Sequence, residues 1–323
     1  MTTNDKASGP SGWQKRIEGD WHGMPSVFNA EGHHVGRIKV SRASIFEGGK
    51  TTYTMDTALD VTGPLRSRFE AKDFAFGVKD GDGDRIYMGP DFFGAGQPWG
   101  ALVDAHYYSP AWQADLHTMV HILPDGKTQA YSSLLYEGPT LVAVFNGLYK
   151  MATDYGANPE TDRFIDGFIE SEKVAGTKPH VLPFKHAGRW TGELSAYGPD
   201  QKPAGASKVT IDYRPTTLLR AAVDVRIDGP FEKRFRFERA RHGHRHTFDG
   251  PDVFGNAIGY GRALYTTQHF LGEALTLEGR EFLLDDKYTM SVVWKVKKSG
   301  KLSHVLYGAL RFEPGDEVLP ARY

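Results

Sequence analysis

The sequence predicts an all-β protein: two tandem antiparallel β-barrel domains, produced by an internal duplication and joined by a connecting helix. Three observations carry this. Short β-rich runs alternate apolar with polar residues, turns built from Gly, Pro and Asp separate them, and a set of motifs occurs twice in the same order.

The duplication is read from paired motifs. Gly19-Asp20-Trp21-His22-Gly23 returns as Gly188-Arg189-Trp190-Thr191-Gly192, and Thr62-Gly63-Pro64-Leu65 returns as Asp228-Gly229-Pro230-Phe231. The firmest pair is Gly89-Pro90-Asp91-Phe92-Phe93-Gly94 with Gly250-Pro251-Asp252-Val253-Phe254-Gly255. It continues as Trp99-Gly100 against Tyr260-Gly261, and Gly147 falls opposite Gly308. The offset drifts from 169 through 166 to a constant 161, as small insertions in a duplicated domain would produce.

Each copy reads as strands. Arg37–Val40, Thr51–Met55, Ala222–Ile227 and Lys233–Phe237 are short, rich in β-formers and often alternating. Turns such as Glu47-Gly48-Gly49-Lys50 and Pro124-Asp125-Gly126-Lys127 punctuate them, in a chain with 37 glycines and 18 prolines. Roughly eight to ten strands in about 130 residues fit a barrel of lipocalin size. Between the copies the period changes. Asn158 is an N-cap, Pro159 stands at the first helical position, and Phe164, Ile165, Phe168 and Ile169 form a helical stripe that Gly176 ends. The expected organisation is a disordered segment 1–12, a first barrel 13–155, a helical linker 156–185 and a second barrel 186–323.

Composition narrows the function. With 39 Lys+Arg against 40 Asp+Glu, the net charge of −1 leaves no broad basic field for nucleic acid. The absence of cysteine excludes disulfides, thiolate catalysis and Cys-ligated metal. No P-loop occurs, nor a G-x-G-x-x-G between a strand and a helix, so no nucleotide cofactor is expected. Residues Met1–Gly12 lack the apolar core of a signal peptide, and the longest apolar run, Leu141–Phe145, is strand-length. The expectation is a cytoplasmic protein without a membrane span. Its 40 % hydrophobic content includes 6 Trp, 15 Tyr and 19 Phe, a generous supply for lining a cavity, and a homodimer is compatible with all of this.

The doubled barrel pattern resembles the tandem lipocalin-like, or calycin, group that includes carotenoid 1,2-hydratase and the decalin-forming Diels–Alderases. The resemblance is architectural and spans the chain in outline. It implies chemistry on apolar substrates and transfers no site residue.

Several motifs imitate functional sites. Asp91 and Asp252 recur in both Gly-Pro-Asp segments, which favours a structural role in the bend. His242-Gly243-His244-Arg245-His246 has the alternation of a metal site, yet the repeat places it at a hairpin tip. Asp80, Asp82 and Asp84 imitate a calcium loop but lack its sixth-position glycine and twelfth-position glutamate, so they read as a turn. Trp21 and Trp190, matched in the repeat, read as barrel plugs. His22 and Arg189 beside them read as structural.

The strands that leave the shared loop supply the candidates. His106 and His269 are the expected acid/base residues, with Asp104 as orienting carboxylate and Tyr265 as a further catalytic hydroxyl. Tyr107, Tyr108, Trp99, Trp112, Tyr260 and Arg262 are expected to bind substrate. The leading expectation is a cofactor-independent lyase, isomerase or hydratase acting on a hydrophobic small molecule such as a terpenoid, polyketide or aromatic. Two rivals remain: a non-catalytic carrier of a hydrophobic ligand, and a metal-dependent hydrolase built on His106, His269 and Glu273, with Glu137 as a fourth ligand that itself reads as a turn residue.

Overall fold

The structure, a computed structural model, describes residues 9–62, 65–66, 73–180, 186–284 and 288–319. It is two closed antiparallel barrels in tandem with a helix between them, and the chain divides into compact units at Thr177/Lys178. The first unit opens with α1 (Gly12–Ile17) and continues with β1 (Gly19–Gly23), β2 (Ser26–Phe28), β3 (His34–Glu47), β4 (Lys50–Val61), β5 (Phe74–Lys79), β6 (Arg85–Met88), β7 (Phe93–Trp99), β8 (Leu102–Ser109), β9 (Ala114–Ile122), β10 (Thr128–Glu137), β11 (Thr140–Met151) and α2 (Pro159–Ala175). The second holds β12 (His186–Tyr197), β13 (Pro203–Thr217), β14 (Arg220–Asp228), β15 (Lys233–His242), β16 (Arg245–Asp249), β17 (Val253–Tyr260), β18 (Ala263–Phe270), β19 (Leu275–Leu283), β20 (Thr289–Lys298) and β21 (Lys301–Val318).

Each strand pairs with its neighbour in sequence, and the first closes on the last. In the first barrel β1 and β2 are one stave interrupted at Met24-Pro25, since both pair with β3 on one side and β11 on the other. Proline cannot donate to a ladder, which accounts for the break. In the second barrel β12 is continuous and pairs with β13 and β21. Among the described residues closure gives every stave a hydrogen-bonded neighbour on both sides along part of its length. Alternation then sends every second side chain inward. On β5 the buried set is Phe74, Phe76 and Val78; on β15 it is Phe235, Phe237 and Arg239.

The register confirms the duplication. Phe93 pairs with Tyr108 on β7/β8, and Phe254 pairs with His269 on β17/β18, both at the 161 offset. The repeated glycines also gain a reason. A Cβ on Gly94 would lie 2.0 Å from the His106 carbonyl oxygen, and one on Gly255 would lie 2.1 Å from that of Thr267. The backbone of the neighbouring strand passes too close for any side chain. Gly63 and Pro64 of the second motif pair lie outside the described residues, as do residues 1–8 of the segment expected to be disordered.

The helix α2 begins after Asn158, whose side chain accepts from the Glu160 N–H, and ends at Gly176. It packs Ile165 and Ile169 on the first unit, against Ala152. Phe164, expected in that stripe, is exposed. Its position turns it away from the Ile165/Ile169 face. Among the described residues no helix is long and apolar enough to cross a membrane.

Substituting Gly255→Ala is expected to destabilise the second barrel by roughly 2 kcal/mol or more, because the added methyl meets backbone that cannot yield. Gly94→Ala should do the same to the first. Urea unfolding of each variant measures this, and an unchanged midpoint would contradict the close-approach argument.

Candidate functional site

Both barrels are hollow, and their cavities are lined by different chemistry. The first encloses about 640 Å³ of empty space, mouth included, and a second lobe of about 370 Å³ adjoins it through Met55, Phe92, Leu116 and Tyr131. Trp13 and Ile17 of α1 contribute to the lining. That helix is fastened by its entry: the Ser11 and Gly12 N–H groups donate to Asp80 and Asp82 at 2.8 and 2.9 Å, and Trp21 Nε1 donates to the Ile17 carbonyl at 2.8 Å. The calcium-like acidic run is therefore a turn, as its spacing implies, and it also holds the helix in place.

Arg42 stands in the lining with 6 % exposure. It continues the inward face of Ile38 and Val40 on β3. One of its nitrogens donates to Gln129 Oε1, and it is hydrogen-bonded to Tyr53. Its guanidinium lies 4.0 Å from the Tyr149 ring centroid and 5.5 Å from that of Tyr131. Burial opposes its charge, but the oxygens of Tyr53, Tyr149 and Tyr131 outweigh that and keep it cationic. No carboxylate among the described residues pairs with it. Arg85 differs, since Asp80 lies 2.5 Å from it.

Hydroxyls complete this cavity. Tyr107 donates to Tyr87, which also accepts from Arg85, while Tyr131 is hydrogen-bonded to Ser133 and Thr118. Burial pushes Tyr87, Tyr107, Tyr131 and Tyr149 above the ordinary phenol range, so all four stay protonated donors. No Asp, Glu or His occurs among the described lining residues. The cavity thus offers one uncompensated cation and several O–H donors to a guest.

The second barrel holds about 530 Å³ of empty space, mouth included, lined by aromatics together with Arg239, Glu281, Thr266, Gln268 and Tyr213. Arg239 Nε donates to His246 Nδ1 at 3.1 Å and its Nη2 donates to His180 Nδ1 at 3.4 Å. Because arginine only donates, both imidazoles accept at Nδ1 and carry their proton on Nε2. Glu281 Oε2 lies 3.7 Å from Arg239 and 3.6 Å from His180 Nε2. Desolvation, reinforced by the Arg239 charge, lowers both histidines far below the usual range, and burial raises Glu281.

Of the sequence candidates, two face these cavities. Tyr107 lines the main chamber, and Trp112 lines the adjoining lobe, parallel to Phe145 at 6.3 Å. The alternation that turns Tyr107 inward turns Asp104, His106 and Tyr108 outward. His106 is exposed there with its ring tilted against that of His117 at 4.1 Å, and Asp104 is buried on that same outer side. Likewise Thr266 and Gln268 face inward, while Tyr265 and His269 face out. His269 lies against the exposed Phe254 at 5.2 Å and against Thr276 Oγ1 at 3.2 Å. Trp99 and Tyr260 are buried at matched ends of β7 and β17, outside the cavity linings, and Arg262 lies in the β17/β18 turn over the Phe282 ring at 4.9 Å. The structure does not bring the two expected acid/base histidines into a barrel interior.

Glu273 is taken by Lys233, and Glu137 closes β10 beside the Gly138 turn. Among the described residues no three His, Asp or Glu side chains converge to hold a metal, so the hydrolase reading finds no ligand set there. His242 and Arg245 pair across a two-residue turn, which makes this run a hairpin tip as the repeat implied. His246 is the exception: it has left the tip and faces the interior. Arg42, Arg239, His180, His246 and Glu281 are the functional candidates that sequence reasoning missed. Strand parity held the signal for Arg42 and Arg239, each two residues beyond an inward apolar pair.

No family model matches the chain, and neither does any curated protein. Among solved structures, a protein of unknown function from the DUF3598 family of Nostoc punctiforme aligns with a TM-score of 0.57 at 11 % identity, covering 95 % of this chain and 99 % of that one. A protein provisionally assigned as AttH from Nitrosomonas europaea aligns over 96 % of both chains at 10 % identity, with a TM-score of 0.19. The first likeness shows the fold: a two-barrel, calycin-like architecture.

The buried histidines set a pH dependence. Their folded pKa values lie below the unfolded value near 6.5, so the unfolded chain takes up protons first as pH falls. Their contribution is complete above about pH 6.5 and is lost below it, by up to about 1.4 kcal/mol per pH unit for each histidine. Glu281 acts oppositely just above its unfolded pKa near 4.5. Chemical denaturation at pH 7.5 and 5.5 should show the protein less stable at 5.5, with a shallower dependence in the double variant His180→Gln/His246→Gln. Equal slopes would contradict the assignment.

Proposed function

We propose that the first barrel binds an apolar small molecule through a carboxylate or similarly charged oxygen, with no nucleotide cofactor. The observation that carries this is Arg42: a buried cation without a carboxylate partner among the described residues, set in the wall of an aromatic cavity. A charge in such a place costs free energy unless something neutralises it. A guest carboxylate would do so, with Tyr53 and Tyr131 beside it as further donors. The aromatic wall supplies the apolar contact.

Cofactor-independent lyase, isomerase or hydratase chemistry is the second reading, favoured by the run of Tyr107, Tyr87 and Arg85. A hydroxyl polarised in this way can donate a proton or stabilise a developing oxyanion. The first chamber has donors but no Asp, Glu or His base among its described lining residues, so binding is the reading its geometry supports best.

Calorimetric titration with 1-naphthoic acid and its methyl ester tests the proposal. The acid should bind more tightly than the ester, and Arg42→Gln should weaken the acid by roughly 10- to 100-fold, the value of a buried charge-assisted contact, while changing the ester little. Equal affinity for acid and ester, or an acid that ignores Arg42→Gln, would remove it.

A further inference from the structure

The two barrels share a frame, so residues at the same register position can be compared directly. At the 161 offset, Val78 of β5 stands where Arg239 stands on β15, and Val120 of β9 stands where Glu281 stands on β19. Tyr107 is replaced by Gln268, and Arg85 by His246. At the position of Arg42, opposite the paired tryptophan, the second barrel has Ile211.

These exchanges are not needed by the fold. The first barrel closes with two valines where the second buries an arginine and a glutamate. An apolar pair in such a position is commonly as stable as an ion pair, or more so. A charged pair kept at this cost calls for another role. Its place supplies one: Arg239 and Glu281 both line the aromatic cavity, and buried polar atoms there lack partners. Among the described residues Tyr213 Oη, in a residue only 2 % exposed, has no hydrogen-bond partner, and Glu281 Oε2 accepts no hydrogen bond, its ion-pair contacts to Arg239 and His180 Nε2 standing at 3.7 and 3.6 Å. The formal charges of Arg239 and Glu281 cancel. His180 and His246 spend their Nδ1 lone pairs on Arg239 and are neutral. Among its described lining residues the chamber therefore has no uncompensated charge for an anion, but it has a carboxylate oxygen that accepts no hydrogen bond and a hydroxyl without a partner.

We infer that the second barrel is a separate binding site, selective for a neutral, hydroxyl-bearing apolar molecule that donates to Glu281 and accepts from Tyr213. The two chambers of one chain then divide ligands by charge: an acid in the first, an alcohol or phenol in the second. This does not depend on the acid-binding reading of the first barrel, and the two fail separately.

Calorimetric titration of the full-length protein with 1-naphthalenemethanol, alongside 1-naphthoic acid, tests it. Tyr213→Phe and Glu281→Gln should each weaken the alcohol about tenfold, as expected for one buried hydrogen bond. Both should leave the acid within about twofold, and Arg42→Gln should leave the alcohol unchanged. Tyr213→Phe removes only an unpartnered hydroxyl, so its melting temperature should equal or exceed that of the parent. It keeps the test valid even where Glu281→Gln strands Arg239 and impairs folding. No measurable binding of the alcohol, or alcohol binding that ignores Tyr213→Phe in a stably folded variant, would overturn the inference. Alcohol binding lost with Arg42→Gln would also overturn it, by placing the alcohol in the first chamber.

Discussion

Closure of each sheet on itself is the constraint on which everything else depends. Once β1 meets β3 and β11, and β12 meets β13 and β21, each sheet is closed, and side-chain direction becomes a matter of parity. Parity explains why Tyr107 and His106, adjacent in sequence, lie in different worlds: one in the chamber, one on the outer wall. It also explains how Arg42 and Arg239 come to be buried. Each follows two apolar residues on its own inward row, and the backbone gives it no other direction.

Within this shared frame, the two interiors have diverged. The first barrel uses tyrosine hydroxyls and an arginine that no carboxylate among the described residues balances; the second uses an arginine, a glutamate and two neutral imidazoles. On the outer wall one ring pair recurs at the same register, Phe93 with Tyr108, tilted at 5.5 Å, and Phe254 with His269, stacked at 5.2 Å. The glycines that permit close strand approach have been retained in both copies. Duplication preserved what closure needs and left the lining free to change.

The architecture was legible because its signals are local or repeated. Asn158, Pro159 and Gly176 mark a helix within a few residues of one another, and Gly-Pro-Asp recurs at a fixed offset. The site was less legible. Residues that follow the shared loop occupy both strand faces, so His106 and His269 carry the same sequence signal as Tyr107 although only the last points inward. The histidine-rich run has the pattern of one hairpin tip, which suits His242 but not His246, the first residue in that run to return to an inward row. His180 precedes its barrel, and no strand period could have placed it beside Arg239 and Glu281, about 60 and 100 positions later.

Closure also sets a problem in time. Trp21 pairs with Met151, and His186 with Val318, so each barrel is completed only by contacts between residues about 130 positions apart. Folding dominated by such distant pairings is slow, and unfinished barrels present unpaired edges to one another. In a chain with two similar barrels, the wrong partner is always nearby: the opening strand of one copy could pair with the closing strand of the other. Differences between the copies weaken that competition. Divergence that gave the two chambers separate chemistry would also help each barrel select its own strands during assembly.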